Sequence, residues 1–225
     1  MRVWVSRTQP GADATAQRLR ELGHEPIVSP VLEVRALEPF FELDPSDVEA
    51  IAFTSQNAIE PITRHYPEFL GLPVFAVGEA TATAARAAGY DDVCSADGDV
   101  DALATLIAQA RPRIVLHPTA SEPASEIVRL LNGPKIEARS VAVYETLALE
   151  PQAALAQLTA IDAVLIHSPN GARRVAASVT PAQVQGLVFA CISPAAARPL
   201  TDHGHEKVRS APFPNEASLL KLLDE

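Results

Sequence analysis

The chain alternates two kinds of stretch. Short apolar runs ("RVWVS" from Arg2, "AIAFT" from Ala50, "PVFAV" from Pro73, "RIVLH" from Arg113, "AVLIH" from Ala163 and "LVFACI" from Leu187) are each followed by an Ala-rich amphipathic segment. Continuous apolar runs mark strands buried on both faces, and helices between them make neighbouring strands parallel. The pattern predicts an α/β chain with strands at these runs and helices over residues 11–23, 56–65, 79–88, 121–132, 169–178 and 194–203.

The pattern also repeats. "AIAFTSQNAI" returns as "AVLIHSPNGA", with Ser168 following Ser55 by 113 positions, Phe189 following Phe75 by 114 and Gly204 following Gly89 by 115. "RVWVS" pairs more loosely with "RIVLH". Self-similarity at about half the chain length reads as a duplicated unit. Two β-branched stretches, "VLEVRAL" and "SVAVYETLAL", would carry the chain out of one unit and back if they paired antiparallel. The expected architecture is two doubly wound parallel-sheet domains, flavodoxin- or Rossmann-like, joined by a two-stranded β linker. Domain 1 is expected over residues 1–33 plus 150–225, domain 2 over 38–141, and the linker strands near 31–37 and 141–149.

Composition narrows the function. The 225 residues are 48% hydrophobic, enough for two small cores. A formal net charge of −10 argues against a nucleic-acid surface built on net positive charge, so any anionic ligand must be held by local groups. No apolar stretch approaches the roughly 18 residues of a membrane span, and "MRVWVSRTQPG" lacks the apolar core of a leader, so a cytoplasmic protein is expected. Cys94 and Cys191 stand far apart without CxxC spacing, which argues against disulfide or zinc chemistry. His203 and His205 flank Gly204 with no third ligand in view, and no metal is expected.

Ser55, Ser168 and Ser193 each stand where a strand gives way to a helix, and Pro169 and Pro194 suit the first helical position. One reading is an N-cap and nothing more. The other is that strand carboxyl ends and helix N-termini of a doubly wound sheet face a ligand crevice, where free backbone N–H groups favour anions. Both readings stand on the residues alone.

Taken in order, "VSRTQPGADATAQRLRELGHEPIVSPVLEV", "AIAFTSQNAI", "VFAVGEATATAARAAGY", "VAVYET", "AVLIHSPNGA" and the closing "PNEASLLKLL" resemble the uroporphyrinogen-III synthase family of tetrapyrrole (haem-type) biosynthesis. The resemblance implies two domains on a flexible linker around a wide cleft. It implies a cyclising hydro-lyase acting on hydroxymethylbilane without metal or organic cofactor. The bilane would lose its hydroxyl as water, ring D would attack through its substituted carbon to a spiro intermediate, and reclosure would leave ring D inverted. The small-molecule substrate is the partner expected, with neither nucleic acid nor membrane, and the protein is expected to be a monomer.

The same resemblance makes Tyr144 the candidate proton donor to the leaving hydroxyl and Thr81, Ser55 and Ser168 candidate substrate contacts. Asn57, Gly78 and Ser193 lie beside them, and Arg7 follows the first strand as a candidate partner for a substrate carboxylate. Tyr144 also suits an aromatic covering the linker, and Thr81 a cap of its own helix. Strand alternation places Tyr144 with Ala142 and Thr146, opposite Val141, Val143 and Glu145. "ISPAAAR" departs from the family in carrying Ala195 and Ala196 where relatives often have a Gly and a Thr, and Arg173 and Arg174 read as surface residues. The competing function is a two-lobed small-molecule binding or sensing protein that kept the cleft without catalysis. A nucleotide or flavin protein is disfavoured by the lack of GxGxxG or GxxxxGK[ST].

Overall fold

The structure, a computed structural model, describes residues 1–39, 44–121 and 126–224. Among these the strands are β1 (Arg2–Val5), β2 (Glu25–Val28), β3 (Leu32–Ala36), β4 (Ala50–Phe53), β5 (Val74–Ala76), β6 (Val93–Ser95), β7 (Ile114–Ala120), β8 (Glu137–Ala148), β9 (Ala163–Ile166), β10 (Val188–Cys191) and β11 (Val208–Ser210). The α-helices are α1 (Gly11–Glu21), α2 (Ile59–His65), α3 (Glu79–Ala87), α4 (Val100–Ala110), α5 (Glu126–Leu131), α6 (Gln152–Leu155), α7 (Pro169–Ser178), α8 (Pro194–Asp202) and α9 (Glu216–Lys221). The chain divides into unit 1, Met1–Glu33 with Leu147–Glu225, and unit 2, Val34–Thr146.

Each unit is built on its own sheet. Unit 1 has the order β11-β10-β9-β1-β2, every pair parallel. The sheet of unit 2 runs β6-β5-β4-β7-β8-β3, parallel from β6 to β8. The α/β class with parallel-dominated sheets is therefore the one the hydrophobic pattern predicts. Setting β9, β10 and β11 beside β4, β5 and β6, and β1 beside β7, gives the same strand order twice, which is the duplication visible in the sequence. Gly89 (φ 102°) and Gly204 (φ 84°) close the equivalent helices α3 and α8 in left-handed backbone that favours glycine.

Alternate residues of the central strands feed opposite faces. In unit 1, Val3, Val5, Ala163, Leu165 and Ala190 pack with Leu19 of α1 and Leu219 of α9. Trp4, Val164, Ile166, Phe189 and Cys191 pack on the other face with Val175 of α7 and Leu200 of α8. The Trp4 indole N–H is satisfied by the Ser29 carbonyl at 2.6 Å; left alone in a core it would cost about 1–3 kcal/mol. In unit 2, Ile51, Phe53 and Leu116 face Ile59 and Ile62 of α2, while Ala50, Ala52 and Val115 face Leu103 and Ile107 of α4.

β3 and β8 run antiparallel, since the Leu37 N–H donates to the Val143 carbonyl (2.9 Å) and the Leu149 N–H to that of Val31 (3.0 Å). An exposed Arg35–Glu145 ion pair lies across them. One local expectation fails here. β7 and β8 slip register between Thr119 and Ala120, so that Thr119 faces Ala142 while Ala120 faces Tyr144, and Val143 is the extra residue of a bulge. Alternation ends at that bulge. Tyr144 therefore joins Val141 and Val143 in the core and does not share the exposed face of Ala142 and Thr146.

Several helices also differ from the pattern, α6 and α9 being outside the expected segments. The segment 56–65 opens with a 3-10 turn, Gln56–Ala58, before α2, because Pro61 has no N–H to donate in the first α turn. Of the segment 121–132, α5 occupies Glu126–Leu131, and residues 122–125 lie outside the described residues. α4 is not among the expected helices. Its preceding strand, β6, is three residues long and only half buried, so no apolar run announces it. No helix among the described residues is long and apolar enough to cross a membrane.

Candidate active site

The carboxyl edge of each sheet carries the polar residues singled out by the sequence. In unit 2, β4 runs out into Thr54 and Ser55. The Ser55 hydroxyl accepts from the Asn57 N–H at 3.3 Å, and the Asn57 side chain is exposed. On the adjacent strand β5 the chain passes through Gly78, the N-cap of α3, and places Thr81 in the first turn. Gly78 has extended backbone, and a Cβ there would meet nothing within 4 Å, so the start of α3 is sterically open. Thr81 is 6% exposed and its hydroxyl makes no hydrogen bond to the described residues, so it does not cap α3. Ser55, Asn57, Gly78 and Thr81 thus belong to neighbouring strand ends.

Tyr144 lies on β8, two strands from β4, opposite the last residue of β7. Its ring is packed in the core (8% exposed), and its hydroxyl makes no hydrogen bond to the described residues. Between these strands is a pair the sequence does not single out. Thr54 Oγ1 lies 2.9 Å from His117 Nε2, and burial takes the His117 pKa down to about 4, leaving the imidazole neutral at neutral pH.

In unit 1, Ser168 and Ser193 end the adjacent strands β9 and β10. Ser168 caps α7 by accepting from the Gly171 N–H at 3.0 Å, and Ser193 caps α8 by accepting from that of Ala196 at 3.3 Å. The capping reading of both is observed. Arg7 follows β1 as expected, but its guanidinium is already engaged. Nη1 donates to Glu216 Oε2 at 3.2 Å, and Thr15 donates to Oε1 at 2.5 Å. His167, directly after β9, reaches Oε2 at 3.1 Å, and Arg18 lies 3.7 Å from Oε1.

One carboxylate thereby gathers four side chains from α1 and the ends of β1 and β9. Burial would raise the Glu216 pKa, but hydrogen bonds from His167 and Thr15, the charge His167 carries when protonated and the charge of Arg7 overcome it and bring it to about 2. Burial lowers the pKa of His167, aided by the Arg7 charge and opposed by Glu216, so a neutral imidazole donates Nε2–H to an ionised carboxylate. Its Nδ1 is buried and has no partner among the described residues. In the sequence Glu216 stands only within the closing "PNEASLLKLL", and nothing there says that Asn215 caps a helix or which strand ends Glu216 meets. Among the described residues no group of three or more His, Cys, Asp or Glu is placed to hold a metal ion.

The family model of uroporphyrinogen-III synthase HemD matches residues 13–221. The chain belongs to the uroporphyrinogen-III synthase HemD family. The match runs through both units and across β3 and β8. Solved structures with a similar fold include uroporphyrinogen-III synthetase from Helicobacter pylori 26695, at 18% identity and a TM-score of 0.69, covering 99% of this chain and 97% of that one. A mutant uroporphyrinogen III synthase from the extremely thermophilic bacterium Thermus thermophilus shares 15% identity with a TM-score of 0.64, over 100% of this chain and 97% of that one. At these identities the likeness is one of fold, and it extends end to end. No curated protein is matched by this sequence. In this chain the arginine that follows β1, Arg7, pairs with a carboxylate of α9.

Proposed function

We propose that the protein is a uroporphyrinogen-III synthase, a cyclising hydro-lyase that converts hydroxymethylbilane to the ring-D-inverted macrocycle. The observation that carries this reading is the family match over residues 13–221. The reaction asks for two things: help to the departing hydroxyl, and a folded bilane whose cation is attacked by the substituted carbon of ring D. Positioning and cation control are the main contributions a protein can make.

Tyr144 is the proposed donor to the leaving hydroxyl. Its hydroxyl is a donor with no hydrogen-bond partner among the described residues to give up first. The proposed substrate contacts are Thr81, Ser55, Asn57 and the backbone at Gly78 in unit 2, with Ser168 and Ser193 in unit 1. Helix N-termini with free N–H groups suit the substrate's carboxylates on a protein of net charge −10. Nη1 of Arg7 is taken by Glu216 and Thr15, so a substrate carboxylate would meet the other guanidinium N–H groups or displace Glu216.

The test is to supply hydroxymethylbilane, oxidise the products and separate type I from type III uroporphyrin. Type III as the main product supports the reading. Type I alone at saturating protein removes it, and ligand binding without turnover would leave a binding or sensing protein.

A further inference from the structure

We propose that Arg7, Thr15, Arg18 and His167 form a carboxylate receptor at the switch point of unit 1, and that Glu216 is its resident ligand, supplied by the chain itself. In the order β2-β1-β9-β10-β11 the chain leaves β1 toward one side of the sheet and β9 toward the other. A ligand in such folds sits between the carboxyl ends of that pair of strands. Arg7 and His167 are the residues at that place, and what lies between them is a carboxylate from α9.

The donor set has the chemistry of a receptor rather than of a chance surface pair. Both oxygens are used: Oε1 takes Thr15 and Arg18, and Oε2 takes Arg7 and His167. Glu216 (17% exposed) and His167 (8%) are withdrawn from solvent, so charge-assisted hydrogen bonds count for more there than at an open surface. With His167 neutral, the receptor without Glu216 presents two guanidinium charges and two neutral donors, a set that calls for an anion.

The backbone makes room for this arrangement. A Cβ on Gly11 would fall 2.6 Å from Cζ of Arg7, so the bare backbone at the start of α1 leaves the guanidinium its place against Glu216, and a side chain there would shift it. Unit 2 has no such receptor among its described residues: the position equivalent to Arg7 is Pro118, and the neutral pair of Thr54, after β4, and His117, within β7, stands in place of charged donors. The receptor is thus a feature of one copy of the duplication. It docks α9 onto the sheet and closes the unit 1 switch point to carboxylates from solution.

The inference does not rest on the proposed reaction, and its test needs no turnover. Glu216→Ala should lower the melting temperature by roughly 5–10 °C, because two guanidinium groups lose their counter-charge. Formate, the side chain's missing head, should then restore roughly 3–6 °C at about 0.2 M, as for a ligand about tenfold above its Kd. Potassium chloride at equal concentration should not, and formate should not stabilise the wild type beyond chloride. The gain should vanish in Glu216→Ala/Arg7→Met. A Glu216→Ala protein that melts with the wild type, or responds equally to formate and chloride, overturns the proposal. Where Glu216→Ala does not accumulate in folded form, refolding from urea gives the same readout. A higher folded yield in formate than in chloride supports the receptor, and equal yields overturn it.

Discussion

His117 Nε2 lies 2.9 Å from Thr54 Oγ1 in unit 2, and the imidazole is 3% exposed with a pKa taken down to about 4 by burial. Above pH 6.5 neither the folded nor the unfolded chain protonates this residue. Between pH 6.5 and 4 the unfolded chain takes up a proton that the folded one refuses, so stability falls as pH falls, by about 3 kcal/mol in all. His167 and His205, both lowered chiefly by burial, act in the same direction. Glu216, lowered to about 2, adds its own loss only below pH 4.5. Urea unfolding at stepped pH should show this acid limb, and His117→Gln should flatten it by about 1.4 kcal/mol per pH unit.

Tyr144→Phe separates ring from hydroxyl. The ring fills the core beside Val141 and Val143, and the hydroxyl has no hydrogen bond to the described residues, so stability should stay within about 0.5 kcal/mol. Tyr144→Ala should cost about 3 kcal/mol or more by leaving a cavity. If the phenol assists the departing hydroxyl, Tyr144→Phe lowers turnover roughly tenfold to a hundredfold with the type III isomer still the product. Unchanged turnover would leave Tyr144 a core aromatic.

Ser168 caps α7, so Ser168→Ala should cost about 1 kcal/mol whatever else the residue does. Ser168→Asp keeps a capping oxygen and adds a negative charge. Stability close to wild type together with a raised KM for hydroxymethylbilane is the outcome expected if the residue meets a substrate carboxylate. Steady-state kinetics beside thermal melts distinguish this from capping alone, which predicts no change in KM.

Gly11→Ala should push the Arg7 guanidinium off Glu216. The Cβ meets only the far end of a flexible, partly exposed side chain, so the expected loss is that of the displaced ion pair, about 1 kcal/mol. Because both changes break one contact, the double variant with Glu216→Gln should lose less than the sum of the two singles. Chemical denaturation of the four proteins of the cycle measures the coupling.

The fold class was legible because buried parallel strands write themselves as apolar runs, and the duplication because Ser55 and Ser168 or Gly89 and Gly204 occupy equivalent turns. The caps Ser168 and Ser193 were legible for the same local reason, a hydroxyl followed by Pro. The bulge at Val143 was not: β8 carries no Gly or Pro, and Pro118 on the facing strand marks irregular pairing without saying where the extra residue of β8 falls. Nor was the company of Glu216, since Arg7 and Thr15 lie about two hundred residues away in sequence and meet it only when α9 docks on unit 1. Local chemistry was readable, while contacts fixed by tertiary packing left no periodic trace.

The placement of β1 beside β9 sets an order of events at the ribosome. β1, α1 and β2 leave the exit tunnel first, yet the strand that completes their sheet is Ala163–Ile166, beyond all of residues 34–146. Unit 2 has every one of its described strands by Ala148 and can close its core while unit 1 is still an orphaned βαβ motif. The nascent chain therefore carries a bare sheet edge, with Val3, Trp4 and Val5 still awaiting their core, while all of residues 34–146 are made. That is the interval in which a holdase or a second nascent chain would find it.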